Sequence, residues 1–258
     1  MSLSERPAYL SVAIKHRQGA LTLDMVFTLR EPWTVLFGPS GSGKTTVLRA
    51  VAGLVRPEMG RIVSRGRLGT EVFLDTEAKV FVPAYRRAVR FSAQSAALFP
   101  QMTVRENIAY GARNRSDGTG VASVVEDALG RFGLRALAMK HPRALSGGER
   151  QRVAVVRAVT AAVCLGPGTL VLLDEPFTGL DLRLRDELLG KLQSWLRQME
   201  VPVLSVTHDV GEAFQLAAEV IKIADGSLVQ QGPVIEVLAA ERRSLMEQLR
   251  AGTPALEA

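Results

Sequence analysis

Gly38-Pro39-Ser40-Gly41-Ser42-Gly43-Lys44-Thr45 is the stretch that decides how this 258-residue chain folds. It fits G-x-x-x-x-G-K-[ST], a pattern in which small residues allow backbone N–H groups to close around phosphate oxygens. The apolar run Trp33–Phe37 before it predicts a strand, and apolar residues at helical spacing after Lys44 predict a helix. Because the motif needs a strand before it and a helix after it, a chance glycine-rich turn is the weaker interpretation.

The loop predicts a binding site for a nucleoside triphosphate. The N-terminal end of the following helix carries a partial positive charge, which attracts phosphates. Lys44 is expected to reach the outer phosphates, and the Thr45 hydroxyl is expected to bind Mg²⁺. The predicted nucleotide-binding residues of this segment are Gly38, Pro39, Ser40, Gly41, Ser42, Gly43, Lys44, Thr45 and Thr46.

A second indication of nucleotide chemistry is the acidic pair Asp174-Glu175. It follows the continuous apolar run 169–173, which is typical of a strand buried on both faces of a parallel sheet. Ligands of such sheets bind at the carboxyl ends of the strands. We therefore expect Asp174 at the Mg²⁺ site and Glu175 beside the water that attacks the terminal phosphate. Acidic residues end many strands, so the pair is informative only together with the glycine-rich loop.

The stretch Leu145-Ser146-Gly147-Gly148-Glu149 predicts a second helix start. Ser146 is a good N-cap, the two glycines permit close backbone approach, and the helix is predicted from residue 149 to about 163. The stretch could therefore be a second anion-binding helix terminus. Taken alone, it is explained equally well as an ordinary helix cap.

These motifs, in this order, resemble those of the ATP-binding cassette (ABC) ATPases. Residues 145–152 resemble the signature motif of that family, and Phe91-Ser92-Ala93-Gln94 resembles its Q-loop. Phe177-Thr178-Gly179-Leu180-Asp181 is similar to the D-loop, and Thr207-His208-Asp209 is similar to the loop that carries the switch histidine. The resemblance covers about residues 8–240.

The resemblance implies an ATP-hydrolysing homodimer. In the family, two cassettes pair head to tail, with ATP between the glycine-rich loop of one and the signature of the other. Ser146, Gly147 and Gly148 would then hold the γ-phosphate of the nucleotide bound by the partner copy. Glu149 and Asp181 belong to the same implied nucleotide-binding set.

The resemblance also implies roles for three residues that are far apart in the sequence. Gln94 would sense Mg²⁺ and the nucleotide and couple the site to a membrane subunit. His208 would contact the γ-phosphate and help to position Glu175 and the water. The implied catalytic residues are Glu175, His208 and Gln94, the implied metal ligands are Thr45, Gln94 and Asp174, and the implied cofactors are ATP and Mg²⁺.

Two positions depart from the family pattern. The signature has Glu149 where many relatives have glutamine; the two side chains share a shape, so we expect retained function, and a negative charge suits a helix N-terminus. The family usually stacks adenine on an aromatic residue just after the first strand, which is predicted here at residues 9–14. That place holds Lys15-His16-Arg17-Gln18, so His16 or Arg17 could stack on the base, and the base selectivity stays open.

A finer resemblance is to the ATPase subunits of molybdate or tungstate importers. It rests on residues 36–44, on Gly60-Arg61-Ile62-Val63, on Ala97-Leu98-Phe99-Pro100 and on the missing aromatic residue. Those subunits often carry a C-terminal oxyanion-binding β domain, for which the residues after 240 are too few, so we expect no regulation by bound oxyanion. The apolar residues around Phe99 predict a docking surface for the membrane partner, with a local core contact as the alternative.

The patterns and motifs together predict an α/β fold, a P-loop NTPase core with an antiparallel β region and a helical insert. The insert is expected at about residues 95–150, with helices at Val104–Tyr110 and at 121–132. The ABC ATPase domain is predicted at residues 1–240, followed by a short C-terminal tail at 241–258.

Composition bears on the compartment and the partners. The single cysteine, Cys164, cannot form an intrachain disulfide, and no apolar segment reaches the roughly 20 residues that a bilayer span needs. No secretory signal is visible. We therefore expect a chain at the cytoplasmic face of the inner (plasma) membrane. Its expected partners are a second copy, integral membrane permease subunits and an extracytoplasmic solute-binding protein.

A net charge of +6 is compatible with nucleic-acid binding, but the basic residues are scattered and only 5% of residues are aromatic. No nucleic-acid partner is therefore expected. An ABC-type ATPase acting on nucleic acid and an exporter subunit remain the alternative functions. A non-transport P-loop kinase is opposed by the signature and the switch histidine. Molybdate import is the preferred hypothesis, although in such transporters the permease and the binding protein select the solute.

Overall fold

The computed structural model describes residues 7–66, 69–95, 97–112, 120–217 and 219–251. These residues form one eleven-stranded mixed sheet and eight α-helices. The strands are β1 (Leu10–Gln18), β2 (Leu21–Leu29), β3 (Trp33–Phe37), β4 (Met59–Gly66), β5 (Gly69–Asp75), β6 (Val80–Phe81), β7 (Val89–Ser92), β8 (Leu170–Asp174), β9 (Val203–Thr207), β10 (Glu219–Ala224) and β11 (Ser227–Pro233). The helices are α1 (Lys44–Ala52), α2 (Val104–Tyr110), α3 (Val121–Arg131), α4 (Gly147–Leu165), α5 (Leu182–Gln198), α6 (Val210–Leu216), α7 (Val234–Val237) and α8 (Ala239–Ala251).

The parallel half of the sheet positions the predicted site. Strands β10, β3, β9, β8 and β7 are neighbours in this order and run parallel. β3, β8 and β9 are buried at every residue, as expected for strands covered on both faces. Because carboxyl ends of parallel strands meet at one edge, the segments that follow Phe37, Ser92, Asp174 and Thr207 converge there.

The antiparallel region comprises β2, β1, β4, β5 and β6 in this order. β2 alternates between its two faces, with the odd-numbered residues 23–29 buried and Thr22 and Asp24 exposed. β1 is longer than predicted, because its pairing with β2 continues without a break as far as Gln18.

β10 and β11 form the hairpin that connects the two parts of the sheet. Asp225 and Gly226 make its two-residue turn with φ of 49° and 78°, the positive values that a type I′ turn requires. Glycine is needed at the second position, because a Cβ there would lie 2.2 Å from the carbonyl oxygen of Thr22. β11 also pairs with β2, at Ser227 and Asp24, and so joins the antiparallel region to the parallel half.

Two hydrophobic cores lie on opposite faces of the sheet. Alternate residues of a strand point to opposite faces, and β8 follows this rule, since Val171 and Leu173 pack in one core and Leu170 and Leu172 in the other. The first core is formed largely with α2 to α6, and the second with α1 and the antiparallel strands. The glycine-rich loop therefore runs into a helix that packs against both parts of the sheet.

The helical region follows the predicted pattern. α2 has the predicted bounds and α3 ends one residue earlier than predicted. A capping box between Thr103 and Glu106 explains where α2 begins. The part of the predicted insert at residues 113–119 lies outside the described residues. In the helices that the structure describes, none is both long enough and apolar enough to cross a membrane.

The apolar loop before α2 is half-buried, whereas the sequence predicted an exposed surface. The ring of Phe99 packs on that of Tyr110 with centroids 4.3 Å apart, and the guanidinium of Arg157 lies over the same ring. Leu98 packs against the first core. Both side chains thus make local contacts, whereas Ala97 and Pro100 are exposed, and the docking surface for a membrane partner stays a prediction.

Arg87 is a fully buried cation that sequence patterns did not indicate. Its guanidinium donates to the carbonyl oxygens of Ala50 and Val51 at the end of α1, at 2.8 and 2.7 Å. It also donates to those of Val82 and Phe73, at 2.8 and 3.1 Å. Burial lowers the pKa of Arg87 to about 10, which leaves it charged at neutral pH. Arg87 thereby ties the C-terminal end of α1 to the antiparallel region.

Candidate active site

The glycine-rich loop turns sharply between β3 and α1. Gly41 and Gly43 have φ of 82° and 97°, values that other residues rarely adopt. The Ser42 hydroxyl donates to the carbonyl oxygen of Pro39 at 2.8 Å and closes the turn. Gly38 is required for a different reason, because a Cβ there would lie 2.3 Å from the carbonyl oxygen of Ile223. Small residues in this loop therefore follow from both its dihedral angles and its packing.

Lys44, the first residue of α1, folds back over the loop. Its ammonium donates to the carbonyl oxygens of Gly38 and Pro39, each at 2.7 Å, and the residue is only 6% exposed. Burial lowers the pKa of Lys44, while the charges of Glu175 and Asp174 raise it. A cation is thus held at the centre of the loop, where a phosphate group would meet it.

A hydroxyl and a carboxylate lie together beside Lys44. The Thr45 hydroxyl donates to Oδ1 of Asp174 at 3.1 Å. Asp174 ends β8 and is almost completely buried, and this burial raises the pKa of its carboxyl group. The next hydroxyl of α1, that of Thr46, donates to the side-chain oxygen of Gln18 at the end of β1. Thr45 and Thr46 thus connect the start of α1 to two different strands.

Glu175 contacts both of the other residues predicted to be catalytic, Gln94 and His208. Its Oε2 accepts hydrogen bonds from Nε2 of Gln94 at 2.9 Å and from the Thr178 hydroxyl at 3.2 Å. Its Oε1 lies 2.9 Å from Nδ1 of His208. Glu175 has a positive φ of 47°, an unusual value for a side chain with a Cβ, and its backbone N–H donates to Val206. This strained backbone aims the carboxylate at the meeting point of three segments.

Lys44, Thr45, Gln94 and Glu175 border one cleft of 460 Å³ at the carboxyl edge of the parallel strands, whereas Asp174 and His208 are not among its lining residues. Sequence reasoning missed Gln18 and Leu21, which lie at the β1–β2 turn and also border the cleft. The sequence signal that could have found them is their position on either side of the β1–β2 turn, which the fold places next to α1. The cleft is lined by Gln18, Leu21, Ser40, Gly41, Gly43, Lys44, Thr45, Thr46, Gln94, Glu175 and Val206.

The two residues proposed to stack on adenine lie elsewhere. The first strand was expected to end at residue 14, but β1 continues through His16 and Arg17. Neither residue is among those that line the cleft. His16 lies with its Nδ1 4.0 Å from Glu58, and the Arg17 side chain donates to the carbonyl oxygen of Gly19. Pairing with β2 therefore keeps the backbone of both residues in the strand, and stacking on the base stays a prediction.

The signature residues form a separate, exposed helix start. Ser146 caps α4, since its hydroxyl accepts from the Glu149 N–H at 3.2 Å while the Glu149 carboxylate accepts from the Ser146 N–H at 2.6 Å. These bonds to Ser146 lower the pKa of Glu149. Gly147 and Gly148 form the first turn of the helix, which begins two residues earlier than predicted. A Cβ on Gly148 would lie 2.4 Å from a methyl carbon at the end of the Leu180 side chain, so a larger residue here would have to displace that side chain.

Asp181, predicted in the nucleotide-binding set, caps α5. Its carboxylate accepts from the backbone N–H of Leu184 at 2.9 Å. None of Ser146, Gly147, Gly148, Glu149 and Asp181 lines the cleft above the glycine-rich loop. The predicted residues therefore form two groups within the described chain, a cleft and an exposed helix start with its neighbouring loop.

Comparison with known proteins agrees with this geometry. The family described as ABC transporter matches residues 24–178. The molybdenum import ATP-binding protein ModC of Rhizobium etli is 38% identical over 230 residues, which cover 89% of this chain and 62% of that protein. The molybdate/tungstate import ATP-binding protein WtpC of Archaeoglobus fulgidus is 37% identical over 243 residues, which cover 94% of this chain and 95% of that protein. The chain thus spans about 62% of the length of the ModC relatives.

Solved structures share the fold. A protein from Clostridium perfringens, part of the ABC transporter complex cbiONQ, superimposes with a TM-score of 0.73 at 22% identity, covering 94% of this chain and 95% of that one. An ATP-binding cassette in a dimeric post-hydrolysis state with ADP and Pi gives a TM-score of 0.69 at 23% identity. The match covers 87% of this chain and 98% of that one. The α/β fold and the family expected from the motifs are confirmed, and the chain belongs to the ABC transporter family.

Proposed function

We propose that this chain binds ATP with Mg²⁺ in the cleft above the glycine-rich loop and hydrolyses it to power the import of molybdate or a related oxyanion. The observation that carries the proposal is the contact of Glu175 with both Gln94 and His208, at the edge of the cleft that contains Lys44. These groups come from the ends of neighbouring strands and would surround a terminal phosphate. In-line attack by water needs such positioning more than it needs covalent chemistry.

Glu175 is the proposed general base. Hydrogen bonds from two other segments hold its carboxylate in one orientation, so a water molecule beside it can lose a proton in a defined direction. His208 meets Glu175 through Nδ1, and its other ring nitrogen, Nε2, is the one proposed to reach the γ-phosphate. Lys44 is proposed to exchange its two carbonyl acceptors for phosphate oxygens, with which charge-assisted hydrogen bonds are stronger.

The residues beside Lys44 fit a magnesium ion. Mg²⁺ prefers oxygen ligands and is usually held by one or two carboxylates together with phosphates and waters. The Thr45 hydroxyl and the Asp174 carboxylate supply two such oxygens 3.1 Å apart, and the amide oxygen of Gln94 is the third proposed ligand. When bound, the ion would neutralise charge on the β- and γ-phosphates.

We further propose that two copies share each nucleotide. Ser146 and Gly147 are exposed at the first turn of α4, where backbone N–H groups and the positive end of the helix can receive a phosphate. They do not line the chain's own cleft. A second anion site that its own chain does not use is explained if it completes the cleft of a partner copy. Asp181 and Glu149 would then serve that site by fixing its neighbouring loop and its helix cap.

The import function and the solute are inferred from the named relatives. ModC and WtpC are named as import ATP-binding proteins for molybdenum and for molybdate or tungstate, and the WtpC match extends over nearly all of both chains. In such a transporter the chain would act at the cytoplasmic face of the membrane, on permease subunits that receive the oxyanion from a solute-binding protein.

The test is to measure phosphate release by the purified chain, alone and in vesicles with the permease that co-purifies with it. We expect slow hydrolysis alone and faster hydrolysis when binding protein loaded with molybdate is enclosed in the vesicle. Sulfate-loaded binding protein is the control and should stimulate less. Absence of ATP hydrolysis under every condition contradicts the proposal. Stimulation by a solute without any binding protein contradicts import and favours an exporter.

A further inference from the structure

The carboxyl group of Glu212 is buried directly behind the loop that carries His208. Glu212 belongs to α6 and is 6% exposed. Its Oε2 accepts a hydrogen bond from the Thr207 hydroxyl at 3.1 Å, and the same hydroxyl oxygen accepts one from the backbone N–H of Asp209 at 3.0 Å. The two bonds fix the residue before His208 and the residue after it, so the backbone of His208 is held from both sides.

The positive charge that acts on Glu212, that of Arg185, is committed to other carboxylates. Arg185 of α5 donates to Asp209 at 2.9 Å and to Asp186 at 3.3 Å. Oε1 of Glu212 is buried and has no hydrogen-bond partner in the part of the chain that the structure describes. An ionised Glu212 would thus be a buried charge with one oxygen unpaired, and such a charge is strongly disfavoured.

Two neighbouring carboxylates also favour the protonated form of Glu212. Asp209 on its own loop and Glu175 from the end of β8 are negative groups that act on it, and His208 borders the same small cavity. Burial is the main cause that raises the pKa of Glu212, to about 7; the Thr207 hydrogen bond and Arg185 oppose this shift. Near neutral pH the carboxyl group can therefore change its charge in response to its surroundings.

We propose that Glu212 is a positioning residue, whose uncharged carboxyl group holds the His208 loop through Thr207 in the arrangement that brings His208 to Glu175. The inference rests on the proposed ATPase function and adds a residue to it. A cavity of 100 Å³ beside Glu212, lined in part by Thr178, Gly179 and His208, has room for a water molecule. Ionisation would draw water into this cavity toward Oε1 and loosen the loop.

A purely structural role for Glu212 makes a different prediction. Its backbone N–H is already capped by Oδ1 of Asp209 at 2.8 Å, so the start of α6 does not depend on the Glu212 side chain. If the side chain only filled space, its replacement would change the stability of the fold and leave the shape of the pH profile unchanged. The pH dependence of turnover therefore separates the two roles.

The test is the kcat for ATP hydrolysis from about pH 6 to about pH 9 in the full chain and in Glu212→Gln and Glu212→Leu. We expect wild-type kcat to fall severalfold above about pH 7. Glutamine keeps an acceptor for Thr207 without a charge, so Glu212→Gln should retain most of the activity at pH 6 and lose this alkaline decline. Glu212→Leu should lower kcat about tenfold at every pH.

The matched control is Glu219→Gln, which changes a partly buried carboxyl group on β10 that also accepts hydrogen bonds. This variant should leave the pH profile of kcat unchanged. Parallel profiles for the wild type and Glu212→Gln would overturn the proposal.

A second measurement decides the protonation state without any turnover. Infrared difference spectra between the wild type and Glu212→Gln at pH 6 should show the band of a protonated buried carboxyl group, and this band should disappear by about pH 9. Its absence at pH 6 overturns the inference. A wild-type chain that shows the band but hydrolyses no ATP at any pH would instead count against the proposed function.

Discussion

Nε2 of Gln94 lies 2.9 Å from Oε2 of Glu175, although 81 positions separate the two residues in the sequence. They meet because β7 and β8 are adjacent and parallel, so the residues that follow the two strands share one edge of the sheet. An amide has a donor on one side and an acceptor on the other. The amide nitrogen of Gln94 can therefore donate to the proposed base, Glu175, while its amide oxygen binds the proposed metal ion. One side chain would thus connect the base to the metal site.

Lys44→Ala should weaken ATP binding at least about tenfold, because a hydrogen bond to a charged group contributes about 1.5–3 kcal/mol and no other ammonium lines the cleft among the described residues. Isothermal titration calorimetry measures the affinity. Lys191→Ala, which removes an exposed lysine paired with Glu187, is the control and should bind ATP as the wild type does. Unchanged affinity in Lys44→Ala would contradict the assignment of the loop.

Arg87→Met should lower the free energy of unfolding by about 3 kcal/mol, because methionine keeps much of the volume but removes the charged donors to four carbonyl oxygens. Those of Ala50 and Phe73 keep backbone donors from Gly53 and Val82, whereas those of Val51 and Val82 lose the bond from Arg87. For a chain of this size the midpoint of thermal unfolding should fall by about 6–12 °C. Arg86→Met changes the exposed neighbouring arginine in the same way and should stay within about 0.5 kcal/mol of the wild type. Equal stabilities of the two variants would refute the anchoring role of Arg87.

Much of the fold was predictable from the sequence because its signals are local. β3 and α2 have the predicted bounds, because the residues that end a short apolar run or cap an amphipathic helix lie next to it in the sequence. β1 was predicted too short, because residues 15–18 are polar and only their pairing with β2 keeps them extended. The strand order of the sheet has no local signal and came from the structure.

The candidate site was predictable only where motifs mark it. Glu175, Gln94 and His208 were identified as a set through the family resemblance, and the structure brings them into contact. Arg87 and Glu212 were missed for a physical reason. Charged residues are ordinarily exposed. The burial of Arg87 is tolerable because carbonyl groups of distant segments accept from its guanidinium. The burial of Glu212 follows from the packing of α6, since its Oε2 bonds only to nearby Thr207, and no sequence pattern contains either arrangement.

Glu212→Gln should stabilise the fold at alkaline pH and change it little at acidic pH. The pKa of Glu212 is raised from 4.5 to about 7 in the folded chain, so between these values the folded state binds more protons than the unfolded state. Stability therefore falls as the pH rises through this window, and the full cost of about 3 kcal/mol is present above it.

Urea unfolding at about pH 5 and pH 8 measures the difference in stability between Glu212→Gln and the wild type. The exposed Glu236→Gln is the control; an advantage of Glu212→Gln that does not grow with pH would refute the shift.

Ser146→Arg should leave ATP binding by the isolated chain nearly normal and abolish both the ATP-dependent dimer and hydrolysis. A bulky cation at the first turn of α4 would block the approach of a partner's nucleotide without touching the chain's own loop. Losing the cap costs about 1 kcal/mol, so the variant should still fold. Ser146→Thr keeps a capping hydroxyl and is the control. If Ser146→Arg prevents ATP binding by the monomer, the signature serves its own chain and the shared-site proposal is wrong.

The measurement that tests the central claim most directly is ATP turnover and assembly in Glu175→Gln. Glutamine keeps the shape of the side chain but cannot accept the proton of the attacking water, so we expect hydrolysis to fall at least about a hundredfold while ATP still binds. Size-exclusion chromatography with saturating ATP should then show a dimer, with Glu187→Gln on the exposed face of α5 as the control that keeps wild-type turnover. A Glu175→Gln chain that hydrolyses ATP at the wild-type rate, or stays monomeric with ATP bound, would contradict the account.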